Sequence, residues 1–438
     1  LIRQLSGVFG WKLFASAASF VCNLAITRIL LENYGVSQYA AISVLLSLPA
    51  LIPFADLGLG SVAVNAAADL KDGRAIQEAR RSLSAVLRLL AVSGLVIMVA
   101  AVLLLASGAW PSLLGPAVAD VSTVGIGATI ALCLVGVNVV IALAGRILQG
   151  WRRNALMIAL SVVGPPLSLV LVVLFVGAGT DPGLMAVPAS ISLVVVSLLT
   201  WVAVARIDPA TVKLALRTTP RRGDFSDALQ IGAGGMLVAI LVALLMQADR
   251  LSLSFLASPE ALAAYALVAP IYLAGWALLN PLAMNLWPVY RQEISDGTFT
   301  RRRLLRDVGL FAAIGGMAGC ALFVGGPIAV SLVAGSNADI VPLSVYVGFA
   351  LLLLLQGAAL PAAMVLTDKK GFRYQPIPFA LAVILKAVSL PYCVAVAGPA
   401  GPIFASVFGI LVGQFPLMLR KASQRATAGE EDLDDEAR

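Results

Sequence analysis

The sequence predicts an all-α polytopic membrane protein of about twelve transmembrane helices, in two six-helix lobes related by a pseudo-two-fold along the membrane normal. Three observations predict it: long apolar runs, a one-sided distribution of lysine and arginine, and an internal repeat. Of 438 residues, 60% are hydrophobic and 12% charged, whereas a soluble domain carries roughly 25% charge. The apolar residues fall in runs of about 20, enough to cross a hydrocarbon core of roughly 30 Å as helix. Helices satisfy their own backbone hydrogen bonds where water is absent. The ten-residue alternation of a membrane barrel is missing. No signal peptide with a cleavage site precedes the first run. The chain starts at Leu1 rather than Met, and a few further residues are expected before it.

The expected spans are 7–31, 37–67, 82–106, 122–145, 155–177, 184–205, 228–256, 261–288, 305–333, 341–366, 375–397 and 401–419. Loops 71–81, 146–153, 206–222, 291–306 and 369–373, with both ends, hold 27 of the 30 basic residues when Arg3, Lys12, Arg88 and the C-terminal residues are counted with them; Arg28, Arg250 and Lys386 are the other three. The opposite loops (32–36, 107–121, 178–183, 257–260, 334–340, 398–400) contain no Lys or Arg, only Glu32, Asp120, Asp181, Glu260 and Asp339. Positive loops stay in the cytoplasm, so both termini are expected there, in a bacterial inner membrane. The chain divides into an N-terminal lobe (1–206), a cytoplasmic linker (207–227), a C-terminal lobe (228–420) and a disordered acidic tail (421–438). The tail's Asp432-Leu433-Asp434 triplet reads as a solvated charge run, since a nucleotide-sugar site would need a folded domain around it.

The halves repeat weakly. Arg28 matches Arg250, Tyr39-Ala40-Ala41 resembles Ala264-Tyr265-Ala266, Asp72-Gly73-Arg74 resembles Asp296-Gly297-Thr298, and Pro166 matches Pro391. Each half has an even number of spans, so a repeat of this kind places both in the same orientation.

Composition also excludes classes. The formal charge of +7 is accounted for by loop topology rather than nucleic acid. The absence of histidine removes His-based bases and metal sites. The four cysteines, Cys22, Cys133, Cys320 and Cys393, are far apart in apolar spans and read as small hydrophobes, with no disulfide or metal framework. Short outer loops leave little room for the catalytic acids of a membrane glycan polymerase or glycosyltransferase.

Charge within the bilayer costs roughly 2.5–3.5 kcal/mol per residue on insertion scales and generally faces a cavity or a partner. The spans hold Arg28, Asp56, Asp249, Arg250 and Lys386, a net cationic set that suits an anionic substrate. Arg28 and Arg250 either snorkel to the interface or grip a diphosphate through paired hydrogen bonds. Asp249 either neutralises Arg250 or orients it. Lys386, near mid-span, either faces a polar cavity or pairs with Asp56. Asp56, in Phe54-Ala55-Asp56-Leu57-Gly58-Leu59-Gly60, either serves function or binds backbone groups freed near Pro53. Asn65, Asn280 and Gln356 are supporting polar candidates, which the alternative reading makes interhelical glue. Prolines in many spans, among them Pro49, Pro270, Pro281 and Pro361, fit helices that kink.

Two groups of residues resemble a known family. Ile26-Thr27-Arg28-Ile29-Leu30, then Tyr34-Gly35, then Asp56-Leu57-Gly58-Leu59-Gly60 resembles the N-terminal signature of polysaccharide-exporter and O-antigen flippases. Ala248-Asp249-Arg250, with Glu260, Tyr265 and Leu286-Trp287-Pro288, resembles their seventh and eighth spans. These flippases belong to the multidrug/oligosaccharidyl-lipid/polysaccharide exporter superfamily. Where the family often has an arginine at the end of span two, this chain has Asn65, so no arginine clamp is expected there. The resemblance implies a V-shaped, two-lobed fold with a central cationic cavity. It also implies alternating-access transfer of an undecaprenyl-diphosphate-linked oligosaccharide to the outer leaflet, for O-antigen, capsule or exopolysaccharide. Arg28, Arg250 and Lys386 would attract the diphosphate. No catalytic residue, metal or cofactor is expected. A proton or sodium gradient is the candidate energy source. The expected partners are the lipid-linked glycan, membrane lipids, and glycan polymerase and chain-length machinery. The alternatives are a drug or cation antiporter of the same superfamily, which would favour an acidic cavity, and a peptidoglycan-precursor flippase, whose relatives usually carry two extra spans.

Overall fold

The computed structural model describes the backbone of residues 2–51, 56–73, 75–119, 121–209, 218–367 and 369–436, and their side chains outside 2–13, 50–51, 234, 369–370, 372 and 426–436. Expectations placed on Arg3, Lys12, Pro53, Arg74, Asp120 and the tail side chains from 426 onward lie outside these. Among the described residues there is no strand.

Ten helical stretches among the described residues are long and apolar enough to cross a bilayer. They account for the twelve expected spans because two stretches hold more than one. Phe14–Ser47 contains the first span and the start of the second; Pro376–Arg425 contains the last two. The expected loop at 32–36 is instead a kink within one helix, α1 (Ile2–Ser47), at Gly35, whose φ of 74° and ψ of 176° suit a residue without a Cβ. The Tyr34 hydroxyl donates to Thr180 O at 2.6 Å and anchors the kink to the 178–183 connection. The expected loop 398–400 is likewise a single tight turn, Gly398–Ala400.

The chain forms two compact units, Leu1–Ala243 and Leu244–Arg438. In the first, α1 is followed by α2 (Gly60–Asp72), α3 (Ile76–Ala106), α4 (Val124–Ile141), α5 (Leu143–Gly150), α6 (Asn154–Ser161), α7 (Gly164–Gly177), α8 (Val187–Ile207) and most of α9 (Arg222–Gln247). The expected second span is therefore broken: helix ends at Ser47, a tight turn covers Leu48–Leu51, and α2 resumes at Gly60. Its core joins Leu59, Leu83, Leu143, Ile147 and Trp151 with Val204 and Ala228. α3 presents Val92, Leu95, Val96, Val99 and Leu103 outward. Such an apolar stripe on so long a helix belongs against hydrocarbon. Outside the spans, Asp181 ties two connections together, accepting from Ser122, Thr123 and the Gly183 N–H. Burial pushes its pKa upward, but the hydrogen bonds from Thr123, Gly183 and Ser122 outweigh this and hold it below the ordinary carboxylate value.

The second unit contains the end of α9, then α10 (Asp249–Leu256), α11 (Pro259–Met284), α12 (Leu286–Ser295), α13 (Arg301–Ala334), α14 (Leu343–Val365), α15 (Pro376–Ala397), α16 (Gly401–Phe408) and α17 (Phe415–Glu436). Ser258 caps α11 and Thr300 caps α13, each accepting from a first-turn N–H. α13 and α14 pack backbone to backbone. A Cβ on Gly315 would stand 2.4 Å from Leu353 O, one on Gly319 2.7 Å from Ala350 O, and one on Gly357 2.4 Å from Phe311 O. Only glycine allows this approach, as small residues do where membrane helices associate through packing. On α12 and α13, the buried Tyr290 hydroxyl donates to Asp307 at 2.8 Å, and Arg303 lies 3.3 Å from the same carboxylate.

Candidate substrate-handling sites

The two units each carry a pair of opposite charges within the spans. In the second, Lys386 projects from the middle of α15 and is 4% exposed; Asp249 opens α10 and is 3% exposed. The ammonium donates to Asp249 Oδ1 and to Leu245 O, at the break between α9 and α10. The Tyr265 hydroxyl on α11 donates to the other carboxylate oxygen at 2.9 Å. Beside it, Tyr272 donates to Gln356 Oε1 at 2.8 Å, and Gln356 donates to Met246 Sδ at 3.0 Å. Phe349 stacks on Tyr272 with ring centroids 4.8 Å apart, and its centroid is 5.3 Å from that of Tyr265. A buried ammonium and carboxylate are tolerated in hydrocarbon only when paired and hydrogen-bonded, and here both are.

In the first unit, Arg146 Nη2 donates to Asp56 Oδ2 at 3.3 Å, and Nη1 to Gln149 Oε1 at 3.4 Å. Both partners are half-exposed, 45% and 39% by side chain. They stand at a cavity of about 230 Å³ whose wall includes Leu59, Ala63, Val86 and Leu143. Asn138 also lines it and accepts from Ser197 at 2.7 Å.

The structure thus revises several pairings. Lys386 meets Asp249 rather than Asp56, and Asp56 meets Arg146. Asp56 also accepts from the Gly58 N–H at 3.0 Å. Arg28 is exposed and bonded to Glu32, one turn along α1, at 2.7 Å. Arg250 is half-buried beside Asp249 on α10. Gln356 is buried within the Tyr272 network. Asn280 is half-buried on α11, and Asn65 is exposed on α2. Arg146 was assigned by its charge to a loop, yet it lies on a helix. The signal was present: Leu143, Ala144, Ile147 and Leu148 keep a helical period through the supposed loop start, leaving Arg146 and Gln149 on the opposite face. Among the described residues no group of His, Cys, Asp or Glu could hold a metal.

Known structures share this multi-pass helical fold. An inward-facing multidrug resistance MATE transporter of the MOP superfamily matches with a TM-score of 0.77 at 18% identity, covering 94% of this chain and 96% of the other. The lipid II flippase MurJ, in an inward closed conformation, matches at 0.68 and 14% identity, covering 95% and 90%. A MOP-superfamily transporter from Pyrococcus furiosus, described as having a binding pocket of reverse polarity, matches at 0.60 and 15%, covering 97% and 96%. No curated protein sequence matches the chain. The family described as "Polysaccharide biosynthesis protein" matches residues 8–292. The chain belongs to that family.

Proposed function

We propose that this protein is a flippase that carries an undecaprenyl-diphosphate-linked oligosaccharide from the cytoplasmic to the outer leaflet of the bacterial inner membrane. Its product feeds surface polysaccharide synthesis: O-antigen, capsule or exopolysaccharide. The observation that carries this reading is the match to the polysaccharide biosynthesis family over residues 8–292. A lipid II flippase among the structural neighbours supports it, because that protein handles a lipid-linked substrate on the same fold. The excess of cations among the charges of the spans fits a diphosphate better than a cationic drug. Arg28 and Arg250 are the proposed diphosphate-attracting residues. Lys386, held by Asp249, shapes the second unit and contributes its charge only when that pair opens. Lysine and arginine placement supports both termini in the cytoplasm, with a proton or sodium gradient driving alternating access.

Deleting the gene tests the reading. The expected result is loss of a surface glycan with accumulation of its polyprenyl-diphosphate-linked precursor. Unchanged precursor levels, with raised sensitivity to cationic drugs, would instead identify a drug antiporter. Arg28→Ala or Arg250→Ala should reproduce the deletion while the protein stays inserted and abundant.

A further inference from the structure

The Arg146 cavity combines two chemistries in one place. Its wall is aliphatic: Leu59 and Ala63 are fully buried on one side, Val86 and Leu143 on others. Its mouth holds the Arg146–Asp56 ion pair. The Arg146 guanidinium lies so close to Gly60 that a Cβ there would stand 2.9 Å from its central carbon. Gly60 opens α2, and no side chain caps that first turn. The positive end of the helix dipole therefore adds to the guanidinium. Arg146 has two hydrogen bonds, both long, for five N–H donors. A half-exposed pair of this kind contributes little, and a diphosphate is a stronger, bidentate acceptor than one carboxylate. Asp56, once displaced, keeps the Gly58 N–H.

At about 230 Å³ the cavity is smaller than the roughly 300–1,000 Å³ of a whole-ligand pocket, so it takes a segment of a larger molecule. An aliphatic wall disfavours a glycan, whose hydroxyls would lose their water unpaired. It suits a hydrocarbon chain. We propose that this cavity is a recognition site for the junction of the lipid carrier: Arg146 and the α2 N-terminus hold the diphosphate while the first isoprenyl carbons enter between Leu59, Ala63 and Leu143. Asp56 occupies the guanidinium until the substrate arrives. The inference rests on the flippase reading above and deepens it. The site reads the carrier rather than the sugar.

The test uses the full-length protein purified in detergent, with geranyl diphosphate, inorganic diphosphate and geraniol as probes in titration calorimetry. Each buried methylene is worth about fourfold in affinity, so geranyl diphosphate should bind at least about tenfold tighter than inorganic diphosphate. Arg146→Gln should weaken both diphosphates about tenfold or more and leave geraniol unchanged. Asp56→Asn should strengthen both diphosphates. Ala63→Phe should erase the advantage of the geranyl chain while inorganic diphosphate binds as before. Val139→Phe, from another part of the lining, serves if Ala63→Phe does not fold. Equal affinity for geranyl and inorganic diphosphate would overturn the proposal, as would a geranyl advantage that survives filling of the cavity. Precursor accumulation in the deletion strain, with diphosphate binding indifferent to Arg146, would overturn the junction site and keep the flippase. Junction binding without precursor accumulation would do the reverse.

Discussion

Lys386–Asp249 and Arg146–Asp56 are both ion pairs between elements far apart in sequence, yet they are built oppositely. The first is closed on all sides: both groups are at least 95% buried, and the carboxylate is saturated by an ammonium and a tyrosine hydroxyl. The second is open: both groups are half-exposed, both arginine contacts are longer than 3.2 Å, and a cavity lies alongside. A closed pair resists exchange, because any competitor must first open the packing and leave a charge in a medium of low dielectric. An open pair is a placeholder that a better ligand can displace. Geometry alone thus separates a closed charge pair, held inside the packing, from an open one that faces a cavity.

The strongest way to break this comparison is Lys386→Ala. It should strand Asp249 and cost about 3–5 kcal/mol, read as a large fall in melting temperature in detergent. Adding Asp249→Ala should restore most of the loss. A single variant as stable as the parent would show that the pair is not closed. Next comes Tyr265→Phe, which removes one hydrogen bond to a charged acceptor; about 1.5–3 kcal/mol should be lost, with the fold intact. Arg146→Gln should change the melting temperature by the equivalent of less than about 1 kcal/mol while impairing glycan export. A stability loss as great as that of Lys386→Ala would erase the distinction. Arg28→Gln removes an exposed bond within one helix and should alter stability by no more than about 0.5 kcal/mol; export then reports whether Arg28 does more than anchor the helix. The smallest effect concerns Asp181. Its folded pKa is depressed, so its contribution is present at neutral pH and lost as pH falls through the folded value. Asp181→Asn should flatten the acid limb of the stability profile, measured by thermal melts from neutral to acidic pH.

Much of the fold was legible because the bilayer imposes a length and a polarity on each element. Apolar runs located the ten stretches that are long and apolar enough to cross a bilayer among the described residues. Two breaks were harder to read. The connection expected at 32–36 is reduced to a single non-helical residue, Gly35, at φ 74° and ψ 176°. The helix end at Ser47 and the new start at Gly60 agree with Pro49 and with the glycines that follow Asp56. Single side chains were read with less success. Lys386 stood out as needing a partner, yet choosing Asp249, 137 residues away, over Asp56 depends on which helices pack. No local pattern carries that information. Arg146 was misread for another reason. A basic residue at a span boundary satisfies the loop-charge rule and the helix period equally, and only the period was right.

The contact of α13 with α14 has a consequence for how the chain assembles. The glycines at 315, 319 and 357 meet carbonyls within one helical hairpin, whose arms are joined by the short stretch 335–342. Closing so short a loop costs little entropy. The hairpin is therefore free to dock once its second arm has emerged from the ribosome, with α15 still inside the ribosome and α16 and α17 unsynthesised. The last helices then arrive at a preformed surface. A nascent chain arrested after residue 400 should already show cysteine crosslinking between these arms, and leucine at position 357 should abolish it long before any substrate is involved.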